Sequence, residues 1–106
     1  MAKTKHTIML QHNPPLSREE FFERIFWKHK ELAIPASKIY QKIKAGMLNI
    51  HSREEILKEL NITQMQYYNI LSTLIAVGLV TKQYGEYKPS GEFVKRLKRL
   101  IEYVET

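Results

Sequence analysis

The chain has 106 residues, 43% of them hydrophobic, which is enough for one packed domain with a modest core and too little for two. Its formal net charge of +6 favours an anionic partner, because cations near phosphates gain affinity by releasing condensed counterions, but charge alone does not choose between DNA, RNA and a membrane surface. There is no Cys, which excludes disulfides and thiolate metal sites, and no apolar run nears the ~18 residues of a membrane span or the length of a signal peptide, so a cytoplasmic protein is the expectation.

Residues 1–16 carry Lys3, Lys5 and the Pro14-Pro15 breaker, and read as a basic arm. Ser17-Arg18-Glu19-Glu20 has the form of a capping box and predicts a helix over residues 18–32. Phe21, Phe22, Ile25, Phe26 and Trp27 give that helix an aromatic face, fit either for the core or for a dimer contact. The helix should stop before Pro35, and residues 36–45 predict a second one, with Ile39, Tyr40 and Ile43 inward, Lys38, Lys42 and Lys44 outward, and Gly46 as its stop. A short strand is expected at residues 48–50.

Ser52-Arg53-Glu54-Glu55 repeats the cap pattern and predicts a helix over residues 53–60 that buries Ile56, Leu57 and Leu60. Asn61-Ile62 connects it to Thr63-Gln64-Met65-Gln66, a third cap, which opens a helix over residues 64–77 ending at Gly78. Residues 79–83 and 86–88 read as two strands about a Tyr84-Gly85 turn. After Pro89-Ser90-Gly91 a last helix carries Phe93, Leu97, Leu100, Ile101 and Val104 on one face, with Lys95, Arg96, Lys98 and Arg99 around the rest. The fold class is therefore mainly α with a small β-hairpin. One domain spans residues 17–106: N-terminal helices at 17–46, a helix pair at 52–78, a hairpin at 79–89 and a C-terminal helix at 90–106.

Two short helices, a tight connection and a hairpin follow in the order of a winged helix-turn-helix. Residues 60–80, from Leu60-Asn61-Ile62-Thr63 to Val77-Gly78-Leu79-Val80, resemble the MarR-, ArsR- and PadR-like regulators, in which a Thr or Ser caps the recognition helix and a Gly-Leu-Val exit leads into the wing. The resemblance covers residues 52–91. Tyr87-Lys88-Pro89-Ser90 is similar to the Tyr-x-Leu-Thr that closes the wing, with Pro89 in place of Leu, and Phe93 stands where a Gly is common.

The resemblance implies sequence-specific binding of double-stranded DNA by a homodimer, as a transcriptional regulator or a DNA-binding component of replication or segregation, nucleoid-associated in a prokaryote. On a helical wheel about Leu71, the side chains of Tyr67, Leu74 and Ile75 point inward, and those of Met65, Gln66, Asn69, Ser72, Thr73 and Ala76 outward. Gln64, Met65, Gln66, Tyr68 and Asn69 are then the candidates for base contact, since the first turns of a recognition helix reach base edges and Gln or Asn pairs bidentately with adenine. That helix has neither Lys nor Arg, so phosphate charge must come from elsewhere, the candidates being Arg53, Lys38, Lys42, Lys44, Lys82, Lys88 and the arm with Lys3 and Lys5, with Thr63 and Thr73 as neutral backbone contacts. Each of these lysines reads equally as a solvated surface charge.

For the homodimer the candidates are Phe93, Leu97, Leu100, Ile101 and Val104 of the last helix with Phe22 and Phe26 of the first, packing of the last helix onto its own domain being the alternative. The uncharged recognition helix and its Met65, Tyr67 and Tyr68 leave a second class of function open, a module that docks a protein partner through aromatic surfaces. An enzyme is not expected, because the chain has no Asp or Cys and offers no paired acid or nucleophile. His6, His12, His29 and His51 lie at no metal-ligand spacing, and no cofactor loop is present.

Overall fold

In the computed structural model, residues 17–46, 48 and 52–105 are described. The arm at residues 1–16 and, apart from Leu48, the strand expected at residues 48–50 lie outside them. The described residues hold five α-helices and one two-stranded antiparallel sheet.

Helix α1 (Arg18–Ile25) starts where expected, with the Ser17 hydroxyl accepting from the Glu20 N–H at 3.1 Å and Arg24 bridging to Glu20 at 2.8 Å one turn later. It ends seven residues earlier than its periodicity predicts. The chain turns at Phe26 and passes through a 3-10 turn at Lys30–Leu32 into α2 (Ala33–Lys44). Helix α2 thus starts three residues before the expected 36, and Pro35 is compatible with that start. It lies in the first turn of α2, where its missing N–H is one of four with no helical partner, whereas in a helix continued from α1 it would lose a bond and clash with the turn before it.

Helices α3 (Arg53–Leu60) and α4 (Gln64–Val77) are joined by Asn61, Ile62 and Thr63, with Asn61 in the left-handed conformation (φ 54°, ψ 50°) that ends α3. The cap expected at Ser52 does not form. Its backbone (φ −89°, ψ 0°) is not extended, and its side chain makes no capping hydrogen bond. At Thr63 the capping box is complete: the Thr63 hydroxyl accepts from the Gln66 N–H at 3.1 Å, and the Gln66 Oε1 accepts from the Thr63 N–H at 2.9 Å.

Strands β1 (Val80–Gln83) and β2 (Glu86–Pro89) pair antiparallel with Thr81 opposite Lys88 and Lys82 opposite Tyr87. One face of this ribbon carries Val80 and Tyr87 into the core, and the other presents Thr81, Gln83, Glu86 and Lys88. The turn is Tyr84-Gly85 with φ of 52° and 77°, the two positive values of a primed two-residue turn, and Tyr84 at its tip is 103% exposed. Helix α5 (Glu92–Glu105) follows.

The buried side chains form one cluster: Phe22, Ile25 and Phe26 from α1 and the turn after it, Ala36, Ile39 and Ile43 from α2, Ile56 from α3, Tyr67, Ile70, Leu71, Leu74 and Val77 from α4, Val80 and Tyr87 from the hairpin, and Phe93 from α5. Burying each of the larger ones contributes roughly 1.5–3 kcal/mol. Two expectations change here. The buried arc of α4 runs through Ile70 and Val77, so Ile75 is 39% exposed and not inward. Phe22, Phe26 and Phe93 are buried within the chain, Phe21 standing edge-on to both Phe22 and Phe93, so these three are not free to form a dimer surface. Among the described residues no helix is long and apolar enough to cross a membrane.

Helix α5 docks on the end of α4. The Phe93 N–H donates to the Gly78 carbonyl at 2.9 Å, the Arg96 guanidinium donates to the Ala76 carbonyl at 2.8 Å, and Gly78 has φ +94°. A Cβ at Gly78 would lie 2.8 Å from the Phe93 nitrogen and 3.1 Å from the Glu92 Cβ. Gly78→Ala should therefore cost about 2–4 kcal/mol in a denaturant melt, the left-handed strain plus displacement of α5. Gly46→Ala, also at positive φ (+72°) but with nothing within 4 Å, should cost only about 1 kcal/mol. Equal losses at the two sites would show that the α5 contact adds nothing. Tyr84→Asn, which gives the turn the Asn-Gly pair suited to two positive φ values, should raise stability by about 0.5–1 kcal/mol in the same assay.

Candidate functional site

The outer face of α4 is built by the packing of its inner one. With Tyr67, Ile70, Leu71, Leu74 and Val77 held in the core, the helical period leaves Met65, Asn69, Ser72 and Ala76 along the opposite side, all exposed and none charged. Met65 is 74% exposed, and Gln64 stands exposed at the first position of the helix.

Cationic groups flank this face on two sides. On one side Arg53, at the start of α3, donates to the Tyr68 hydroxyl at 2.8 Å, lies over the Tyr68 ring at 6.0 Å and reaches Glu54 at 3.4 Å. The Tyr68 hydroxyl first and Glu54 next raise the guanidinium pKa further above its ordinary value, so Arg53 is a cation at every working pH. On the other side a groove is lined by Asn69, Ser72 and Thr73 of α4 and by Lys28 and His29, with Ile25, Phe26 and Leu32 at its floor. Lys28 and His29 are absent from the expected site because the periodicity carries α1 through them, whereas the early turn at Phe26 brings them alongside α4. The basic run Lys28-His29-Lys30, just ahead of a helix with Pro35 in its first turn, is the signal that marks them.

The remaining expected contacts divide. Lys44 and Lys88 come together on a second groove with Gly46, Glu86 and Tyr87, next to the hairpin. Lys82 places its ammonium over the Tyr87 ring at 5.6 Å and stays exposed. Lys42 bridges to Glu59 at 3.1 Å and so ties α2 to α3, which leaves it less suited to a phosphate. Lys38 lines a groove with Glu19 and Glu23 between α1 and α2, apart from the α4 face. Thr63 is exposed, but its hydroxyl is engaged in the cap. Gln66 is half-buried with its Oε1 held by the Thr63 N–H, so it cannot offer a bidentate amide while the cap is intact. Gln64 and Asn69 are the exposed amides left on the helix. Of the expected dimer residues, Leu97 is partly buried while Leu100, Ile101 and Val104 are exposed.

Behind the α4 face, Tyr67 is 1% exposed, and its hydroxyl has no hydrogen-bond partner. Burial, and then the neighbouring Tyr87 and Tyr68, push its pKa up to about 12.

These features define a small, mainly helical domain with one hairpin, whose exposed and uncharged helix face lies between two cationic flanks. Residues 13–106 match the model of a family described as an archaeal family, and the chain belongs to that family. Among curated proteins and among solved structures nothing matches.

The Tyr67 phenol is neutral in the folded chain to higher pH than in the unfolded one, whose value is 10.0. The folded state thus holds more protons between those two values, and its contribution is full below pH 10 and is lost as pH rises towards 12. Tyr67→Phe should leave stability at pH 7 unchanged or raise it by up to ~1 kcal/mol, since it removes an unpartnered buried hydroxyl. It should also flatten the alkaline fall in melting temperature; an unaltered alkaline profile would mean that Tyr67 does not titrate with unfolding.

Proposed function

We propose that residues 52–91 work as a winged helix-turn-helix that binds double-stranded DNA, with α4 in the major groove, the β1–β2 hairpin as the wing, and two copies of the chain acting together on an inverted repeat. The observation that carries the reading is the exposed polar face of α4, flanked by Arg53 on one side and by Lys28 and His29 on the other. A major groove about 12 Å wide admits one helix, and phosphates border it on both sides, so cations are of use on the flanks and hydrogen-bonding side chains in the middle. Asn69 and Gln64 supply base contacts, Met65 supplies apolar contact to a thymine methyl, and Ser72 and Thr73 lie beside Lys28 for the phosphates. Tyr68 serves to hold Arg53 as well as to face the groove. Lys44, at the end of α2, adds a further charge beside the wing, and Lys88 adds one partly offset by Glu86 at 3.8 Å. A regulator of transcription and a DNA-binding part of replication or segregation both fit this chemistry.

A second reading, docking of a protein partner, is favoured by the apolar groups that α4 exposes, Met65, Tyr68 and Ile75. A gel shift with duplex DNA at low salt separates the two, and absence of retardation at micromolar protein would favour docking. For DNA binding, Asn69→Ala should cost ~1–3 kcal/mol at a selected site and leave the salt dependence unchanged. Lys28→Ala and Arg53→Ala should each weaken all sequences alike and reduce the slope of log K against log salt by about one. A Lys28→Ala protein with the wild-type slope would remove that flank from the interface.

A further inference from the structure

Folding alone does not account for Tyr84. It sits at the tip of the β1–β2 turn in a left-handed conformation (φ 52°) that suits Asn or Gly and strains a bulky side chain. No packing offsets that strain, because Tyr84 is 103% exposed and its side chain makes no hydrogen bond or ring contact with the described residues. Backbone strain kept without a packing reason points to a use outside the fold.

The surroundings narrow that use. The other aromatic of the ribbon, Tyr87, is buried, so Tyr84 is the ring the hairpin offers to a partner. Beside the tip lie Lys82, Lys88 and Glu86, with Glu86 near Lys88 at 3.8 Å, which leaves the exposed Lys82 as the cation suited to a phosphate. A ring that projects singly, with a cation behind it, fits a stacked and anionic partner.

We infer that Tyr84 is a wedge: its ring enters the minor groove, slides partly between two base pairs, unstacks that step and bends the duplex away from the hairpin. The inference rests on the proposed binding of duplex DNA and adds a second source of selection to it. The hairpin leaves the end of α4 directly through Gly78 and Leu79, so with α4 in a major groove the groove open to the tip is the adjoining minor one. A two-stranded ribbon, whose strand axes alone are about 4.8 Å apart before side chains are added, does not enter a minor groove about 6 Å wide, whereas a single ring does. Pyrimidine–purine steps unstack most easily, so such a step belongs under Tyr84, and the site is selected there by its deformability and not by hydrogen bonds to bases.

The test uses the full chain and a duplex site selected from a random pool. Tyr84→Ala should lower affinity roughly tenfold, the order of one ring stacked on a base, with the salt slope unchanged because the ring is uncharged. Tyr84→Phe should bind like wild type. Tyr84→Asn should bind as poorly as Tyr84→Ala although it stabilises the fold, so that melting temperature and affinity move in opposite directions. An aminopurine base placed at the step, whose emission is quenched by stacking, should brighten when wild type or Tyr84→Phe binds and stay dark with Tyr84→Ala. Exchanging the step for part of a stiff A-tract should weaken wild type and leave Tyr84→Ala unaffected. Retardation of duplex DNA with equal affinities for wild type and Tyr84→Ala, or with no brightening, would overturn the wedge and leave the DNA reading standing. Absence of retardation by wild type at low salt would overturn both.

Discussion

Three elements meet at Gly78 in a space with no room for a side chain. The end of α4 closes there through the Gly78 and Leu79 N–H groups, which donate to Ile75 and Leu74, and the chain then turns into β1. The Gly78 carbonyl accepts from Phe93, while the Ser90 N–H reaches the Leu79 carbonyl at 2.9 Å, which brings the start of α5 beside the start of the hairpin. Arg96 covers the Ala76 carbonyl and brings a positive group to the negative end of the α4 dipole. The position of the hairpin relative to α4, and the direction in which α5 leaves, therefore depend on one left-handed backbone conformation and the close approach it permits.

The other end of α4 is fixed by side-chain chemistry. The Thr63–Gln66 capping box satisfies the N–H groups that open the helix and takes Gln66 out of the set of free amides. Arg53 holds Tyr68, so the N-terminal part of α4 is coupled to α3 by a charged hydrogen bond, with Glu54 beside the guanidinium at 3.4 Å. A helix secured at both ends, with its inner face in the core, fixes the backbone from which Asn69 and Met65 project. Either proposed partner, DNA or protein, benefits from a face that needs little ordering on binding.

Much of this was legible in the sequence where local chemistry decides. The Ser17 and Thr63 caps, the stop at Gly78 and the Tyr84-Gly85 turn each rest on a few adjacent residues, and each forms. Ser52 shows the limit of that reasoning. It carries the same four letters as Ser17, but its own backbone has ψ near zero instead of an extended value, and its side chain makes no capping hydrogen bond. The end of α1 was illegible for a different reason, because the apolar period of Phe21, Phe22, Ile25 and Phe26 is the same whether the helix continues past Phe26 or turns there. Lys28 and His29 were lost from the expected site with it. The choice of Ile70 over Ile75 for the core, and of Phe22, Phe26 and Phe93 for the inside, depends on which elements pack around α4 and α1. Spacing along one helix does not contain that information.

The uncharged α4 face bears on how a DNA complex would divide its free energy. Where a reading helix carries its own Lys and Arg, the same residues serve base contact and phosphate attraction, and non-specific affinity rises with specific affinity. Here the two are on separate elements: amides on α4, cations on α3, on the turn after α1 and at the hairpin. In the proposed complex, sequence-independent affinity would be set by Arg53, Lys28, Lys44 and Lys88, and discrimination by Gln64 and Asn69. Because the competing non-specific sites of a genome are many, the ratio of the two affinities matters more than either one alone. A neutral reading helix raises that ratio, since it adds to binding only at sequences that offer partners to its amides, and elsewhere leaves them desolvated and unpaired.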